Sequence, residues 1–585
     1  MAGMIQSRYR WRLPILPDVD PGLRAAADDR GIHPRVTQIL AARGVADAAG
    51  LADFLGPPAA GLGDPRLLPD AERVVDRIRR ARAVGEGVLV FGDFDADGLT
   101  GQAIMVRALR ILGIDAVPHV PSRLVEGHGL SVRAVERAKA EGRGLIITVD
   151  CGSSSPDEVD LARAAGVDVI VTDHHHVPAR PLAAVAFVNP HRHDSVYPDA
   201  RLAGSGVAFT VARLLLGELT GDADAALGLA DLATIGTVAD LAPVVGENRS
   251  IARIGLAAMR EAPRPGIAAL LERAGVRPEA VDLETVAFQI APRLNAAGRV
   301  GEADDAARLL LADDVAAAAG AADLLEAANR LRREMLRDAT AEAQAALEAD
   351  PARAAAAAIL LDGPWSPGIV GLIAARLAEE RGRPAIVAAR LDGVLRASCR
   401  SSGTLDLAAT LGACSDLLIR HGGHAGAAGF EIDAERWEAF RERFIGLAEA
   451  AGPADPRREL ALDLTLRGPE LDFPLITGLA ALEPTGPGNP VPVIGVLGMT
   501  VTRARAASGG HTQLTLRRDH DVVDAIAFGR ADLATAVREG DRVDVAARVR
   551  IRRFGGYESM QLEIRDIASA DAATADVGAM VEAPR

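Results

Sequence analysis

Cysteine is almost missing from this chain: Cys151, Cys399 and Cys414 are the three in 585 residues. An odd number with no CxxC pair leaves no disulfide framework and no cysteine-type zinc site, and it predicts a reducing, cytoplasmic setting. Aromatic residues make up 3% of the chain, so any nucleic-acid partner would be held by its phosphates more than by stacked bases, and binding should weaken with salt. Long apolar runs are absent as well. None approaches the roughly 18 residues that span a bilayer, and Met1–Arg10 lacks the apolar core of about 7–15 residues that marks a signal peptide. These lacks set aside secreted, disulfide-stapled and membrane-spanning classes. A positive net charge is also lacking, at −15. That does not exclude a polyanionic partner, because a phosphate chain responds to the local field of the surface it touches.

What is present reads as several domains. Residues 1–80 form a helical lead with Pro-rich joints. Residues 81–260 alternate strand and helix, with strands expected near 87–92, 115–120, 144–149, 167–172 and 183–188; this is the pattern of βαβ units and a mainly parallel sheet. Residues 261–350 are a helical connector whose Ala-, Leu- and Glu/Arg-rich stretch from Ala303 to Ala349 predicts one long helix or a helix pair. Residues 351–455 return to a smaller α/β pattern. After the turn-forming linker Ala451–Pro456, residues 456–570 carry short alternating strands near 460–466, 512–517, 522–528 and 543–551, the texture of a small barrel. Residues 571–585 are an Ala/Asp-rich tail expected to be flexible.

Three of the predicted strands end in acids or imidazoles. They are Val88-Leu-Val-Phe-Gly-Asp93-Phe-Asp95-Ala-Asp97-Gly98, Leu145-Ile-Ile-Thr-Val-Asp150 and Val169-Ile-Val-Thr-Asp173-His174-His175. In an open α/β sheet the carboxyl ends of parallel strands share one crevice. So many carboxylates in one place repel unless cations neutralise them, which points to two divalent ions, Mn²⁺ or Mg²⁺, clamping a phosphoryl group. By itself Asp-x-Asp-x-Asp-Gly also fits a solvated turn or a Ca²⁺ loop. The spacing places alternate carboxylates on one side of an extended segment, with Gly98 turning the chain into a helix expected from Leu99.

These motifs, followed by Leu232-Ala-Thr-Ile-Gly-Thr-Val-Ala-Asp240-Leu, resemble the successive motifs of the DHH phosphoesterase superfamily. Ala291-Pro-Arg293-Leu-Asn295-Ala-Ala-Gly-Arg299, Gly422-Gly423-His424-Ala-Gly-Ala-Ala-Gly429 and Leu482-Glu-Pro-Thr-Gly-Pro-Gly-Asn489 are similar to its single-strand-specific DNA exonuclease branch. The resemblance implies a parallel-sheet DHH domain and a smaller DHHA1-type domain joined by a long helix, plus an OB-fold barrel. It implies 5′→3′ hydrolysis of single-stranded DNA to mononucleotides in repair and recombination. Asp95, Asp97, Asp150, His174 and Asp240 would ligate metal. Asp93 would be a ligand or orient one, Asp173 likewise or in contact with substrate, and His175 would meet the scissile phosphate. The sequence departs from the pattern at His128, where Gly-Tyr-Gly is usual, at Ser366, at Thr485 and at Cys399.

Substrate-holding candidates follow. The loop with Gly423 and His424 lets a backbone approach closely and could cradle phosphate. Arg293, Asn295, Arg299 and Arg400 are candidates for gripping the strand. In Ala547-Arg548-Val549-Arg550-Ile551-Arg552-Arg553-Phe554-Gly-Gly-Tyr557, strand alternation places Arg548, Arg550 and Arg552 on one face with Phe554 and Tyr557 beside it, a single-strand-binding pattern. Single-stranded DNA is the expected partner of an expected monomer; a single-strand-binding protein and a repair helicase are implied by the resemblance alone. The competing readings are a phosphoesterase for short oligonucleotides or cyclic dinucleotides, against which the barrel counts, and a non-catalytic scaffold, against which the full ligand set counts.

Overall fold

In Val88–Gly92 every residue is buried, and the strand faces a different layer on each side. Leu89 and Phe91 pack with Ala134, Val135, Val159 and Ala162. Val88 and Val90 pack against the opposite helices. A β-branched run with no polar alternation is what a parallel strand covered on both faces requires. The computed structural model describes residues 5–122, 126–300, 303–401, 403, 405–452, 458–467, 470–518, 521–554 and 557–570, with backbone alone at 458, 518, 553, 554 and 557. The tail at 571–585 and residues 453–456 of the linker therefore lie outside the described residues.

The first sheet contains β1 (Val88–Gly92), β2 (Ala116–His119), β3 (Leu145–Val149), β4 (Asp168–Thr172) and β5 (Ala186–Val188). All five expected strands are there. Every pairing is parallel and the order is β2-β1-β3-β4-β5. Strand order reverses between β1 and β3, the switch point where α/β sheets open a crevice at their carboxyl ends. Helices α1 (Ala96–Ile111), α2 (Gly204–Thr220) and α3 (Ala230–Ala239) share the large core beneath it.

The connector contains α4 (Ala291–Val300), the helix Asp304–Leu311 and then α5 (Val315–Ala349), so the helix-pair form of the expectation is the observed one. The break falls at Ala312–Asp314, where Asp314 caps α5 through Ala317 N. At 35 residues, α5 runs about 50 Å. Ala318, Ala322 and Leu325 near its start belong to the first core, and Ala339, Ala343 and Leu347 near its end to a second.

That second core lies on one face of a sheet of β6 (Ile359–Gly363), β7 (Ala385–Leu391), β8 (Val394–Arg400), β9 (Arg420–Gly423) and β10 (Ala427–Asp433), ordered β9-β10-β8-β7-β6. Only β6 and β7 run parallel. All of this belongs to one compact unit, Pro58–Ala454 with Gly486–Gly488.

The other unit contains residues up to 57, 455–485 and those from 489 onward. Ile494–Ala507 pairs with both His511–Arg518 and Arg542–Phe554, and Asp521–Ala527 with Tyr557–Ser569, which closes a barrel. Leu23, Val36, Leu40 and Leu51 from the helices Pro21–Asp28, Pro34–Ala42 and Ala48–Leu55 share its core. The helical lead expected over 1–80 is thus divided near Pro57, its first part lying with the barrel.

Candidate metal centre

Strand register brings the acids level. Gly92 pairs with Val149 and Val149 with Thr172, so Asp93, Asp150 and Asp173 follow the last paired residues of β1, β3 and β4. Their amides continue the ladder: Asp93 N donates to Val149 O, Asp150 N to Thr172 O and Asp173 N to Val188 O.

The loop after β1 differs from the expectation. The helix begins at Ala96, not Leu99, because Asp95 caps it: its Oδ1 accepts from Asp97 N at 3.0 Å and Gly98 N at 3.1 Å. Capping removes the orphan amides of the first turn, so Asp97 lies inside a helix and the alternate-side geometry of an extended segment does not apply. Gly98 serves close packing instead; a Cβ there would strike the backbone of Asp93. Asn295 Oδ1 accepts from Ala96 N at 2.8 Å and ties α4 to the same loop.

Asp97 accepts from Gly204 N at 2.7 Å and Ser205 N at 3.0 Å, the free amides at the start of α2, where a negative charge is favoured. Gly204 and Gly236 leave the room this needs, since a Cβ on the first would collide with Asp150 and on the second with Asp97. Asp150 sits at φ 62°, a left-handed conformation uncommon outside glycine and asparagine. His174 Nε2 lies 3.0 Å from Asp150 Oδ1 and 3.9 Å from Asp97 Oδ2, while its Nδ1 lies 3.9 Å from Asp240 Oδ2. Despite the 3.0 Å separation the Asp150–His174 pair lacks hydrogen-bond geometry, and both atoms are buried without a partner. Two buried lone-pair donors converging on one point are what a cation would satisfy. Within the described residues, three triads have donor atoms within 4.8 Å of one another: Asp93–Asp95–Asp150, Asp97–His174–Asp240 and Asp150–His174–His175.

The electrostatics agree. Burial, then Asp97, Asp95 and Asp93, push the Asp150 carboxyl well up. Desolvation of the carboxyl and neighbouring acids also raise Asp95 and Asp240, although both residues are exposed on one side. Burial lowers His174. These groups resist carrying their charges together, and a divalent ion would remove that cost.

Asp173 behaves differently. Burial opposes its charge, but His175 Nδ1 at 2.8 Å, Ser153 N at 2.9 Å, His174 N at 2.8 Å and His175 N at 3.1 Å all point at its carboxylate, and its pKa falls to about 2. The bond to Asp173 raises His175 to about 9. The His175 side chain remains 53% exposed, so Asp173 fixes the loop while presenting a charged imidazole outward.

The remaining candidates are dispersed. Arg293 is buried, its guanidinium held by Glu326 at 2.7 Å and Gln289 O at 2.6 Å. Arg299 Nη1 donates to Gly368 O at 2.9 Å, and Arg400 Nη1 to Cys399 O at 2.8 Å. Gly423 and His424 are exposed at the β9–β10 turn, where His424 N donates to Ala427 O. Gly423 has φ 134°, and a Cβ there would meet Ala428. Arg548, Arg550 and Arg552 alternate with Val549 and Ile551, which pack on the barrel core; Arg550 pairs with Glu563 at 2.8 Å. The side chains of Phe554 and Tyr557 lie outside the described residues. Sequence reasoning missed the Gly204–Ser205 amides, signalled by Ala203-Gly-Ser-Gly before an apolar helix, and marked His128 only as a departure from the family pattern, whereas its Nδ1 lies 3.1 Å from Asp93 Oδ2.

Comparison with known proteins gives matching family models for the DHH family N-terminal domain over residues 87–237, the DHHA1 domain over 353–450 and the RecJ OB domain over 462–566. The chain is 34% identical over 573 residues to the single-stranded-DNA-specific exonuclease RecJ of Bacillus subtilis, covering 97% of this chain and 71% of that one. To the Escherichia coli protein of the same description it is 33% identical over 560 residues, 92% and 96% of the two chains. The crystal structure of RecJ in complex with Mn²⁺ from Thermus thermophilus superposes with a TM-score of 0.80 at 32% identity, covering 96% of this chain and 79% of that one; the Mg²⁺ complex gives 0.76.

Proposed function

Since the chain belongs to the RecJ family, we propose that it is a metal-dependent exonuclease that hydrolyses the phosphodiester bonds of single-stranded DNA from the 5′ end to mononucleotides. The observation that carries this is the buried, partnerless Asp150–His174 pair among acids that cannot all be charged without a cation. Asp95, Asp97, Asp150, His174 and Asp240 would hold two divalent ions, Mn²⁺ or Mg²⁺, which would supply Lewis-acid activation of a water and charge stabilisation at the phosphoryl group.

The protein's own groups do the rest. The α2 amides hold the Asp97 carboxylate and aim it. Asn295 holds the Ala96 amide and with it the angle of the acidic loop. Asp173 keeps His175 charged and oriented, and His175 donates to the scissile phosphate. The exposed Gly423–His424 turn and the Arg548, Arg550 and Arg552 face contact the DNA strand. Arg293 acts through Glu326, fixing α4 on α5.

Among the described residues no helix is long and apolar enough to cross a membrane. Action in the cytoplasm as a monomer, in repair and recombination alongside a single-strand-binding protein and a repair helicase, belongs to the same proposal. The test is degradation of single-stranded oligonucleotides blocked at the 5′ or the 3′ end, with duplex and chelator controls. The expected result is loss of cutting with the 5′ block, with duplex and with chelator. Equal cutting of duplex, or cutting undiminished in chelator, contradicts the proposal.

A further inference from the structure

His128 stands between Gly127 and Gly129, at φ 79° and 89°, on the loop that joins β2 to the helix Val132–Ala140. The loop is fastened on both sides of it. On one side Glu126 accepts from Ser122 N at 3.0 Å and Ser131 Oγ at 2.5 Å and lies 3.2 Å from His119 Nε2. On the other, Leu130 N donates to Ser155 Oγ at 3.1 Å, and a Cβ on Gly129 would strike that hydroxyl. The imidazole is thereby delivered to the crevice. Its Nδ1 lies 3.1 Å from Asp93 Oδ2 and its ring centroid 4.6 Å from that of Phe94. Its side chain is 70% exposed, so core packing does not account for the placement.

Asp93 is the carboxylate this contact completes. Its Oδ1 accepts from Phe94 N at 2.7 Å, and Oδ2 meets His128. A carboxylate anchored through both oxygens cannot rotate away from its neighbours, although Asp95 and Asp150 repel it. Donors outside the ligand set commonly orient ligands in this way, and losing one weakens metal affinity about 10–100-fold.

Resting on the metal-centre reading above, we propose that His128 is a positioning residue: its Nδ1–H donates to Asp93 Oδ2 and holds that carboxylate toward the metal pocket.

The test is Mn²⁺ alone, titrated into the full chain and followed by the electron paramagnetic resonance signal of the free ion. His128→Asn keeps an N–H near the Nδ1 position and loses the ring. His128→Phe keeps a ring against Phe94 and loses the donor. The expected result is Mn²⁺ affinity about 10-fold weaker in His128→Phe and within about 2-fold of wild type in His128→Asn, with unchanged thermal unfolding in both. Wild-type affinity in His128→Phe, or an equal loss in both variants, overturns the inference while leaving the metal centre intact. A wild-type chain that binds no Mn²⁺ overturns the centre and this inference with it.

Discussion

The two five-stranded sheets of the larger unit treat polar groups in opposite ways. The first is parallel throughout, and at its carboxyl ends it buries Asp93, Asp97, Asp150 and Asp173 almost completely. The second is mixed, and its edge turn leaves Gly422, Gly423 and His424 in solvent. In the first, a small set of amides and glycines forces acids together against their repulsion. In the second, backbone is laid bare with little charge. Chemistry needs fixed groups whose electrostatic cost a cation removes, whereas grip on a long flexible polymer needs open surface. The division between a strained, buried centre and a relaxed, exposed one follows.

That contrast predicts a hierarchy of effects. Asp150→Asn should lower nuclease activity by at least about 100-fold yet stabilise the metal-free protein by about 1–3 kcal/mol, because it removes a buried acid whose raised pKa makes folding costly at neutral pH and asparagine tolerates the left-handed backbone; urea unfolding in chelator reads the second effect. A variant less stable than wild type would break the comparison, since the acids would then not be strained. Next, Asn295→Ala leaves the Ala96 amide without its acceptor, a loss of about 1–3 kcal/mol, and should reduce kcat roughly 10-fold with KM for DNA little changed, measured by steady-state kinetics.

Gly423→Ala tests the other sheet. Strain at φ 134° should cost about 1–2 kcal/mol, roughly 5–30-fold, and appear in KM rather than kcat. A matching fall in kcat would assign the turn to the chemistry. The smallest change is expected on the barrel: Arg550→Ala, already offset by Glu563, should lower the salt dependence of single-strand binding by about one unit of slope. A fluorescence titration across salt concentrations measures it.

The strands of the first sheet were legible because a strand buried on both faces has to be apolar throughout, and its acids were legible because each breaks such a run. The start of α1 was not, since Asp95 captures amides that the Asp-x-Asp-x-Asp spacing alone leaves unassigned. Asp240, at the end of an apolar helix, carried no local signal and was reached only through resemblance. Ile494–Ala507 was hidden as a strand because a register shift between Val496 and Met499, with Gly498 at φ 69°, breaks its alternation. Arg293 showed the limit of reading charge from sequence: the same residue type can serve a phosphate or a neighbouring glutamate, and the pairing with Glu326 on α5 is visible only in the fold.

The proposed chemistry depends on cations between the ends of β1, β3 and β4. Anomalous diffraction from crystals soaked in Mn²⁺ tests that directly. Two peaks about 3.5–4 Å apart, enclosed by Asp95, Asp97, Asp150, His174 and Asp240, are the predicted result. Saturating Mn²⁺ with no peak among those residues, or with peaks only elsewhere, would contradict it.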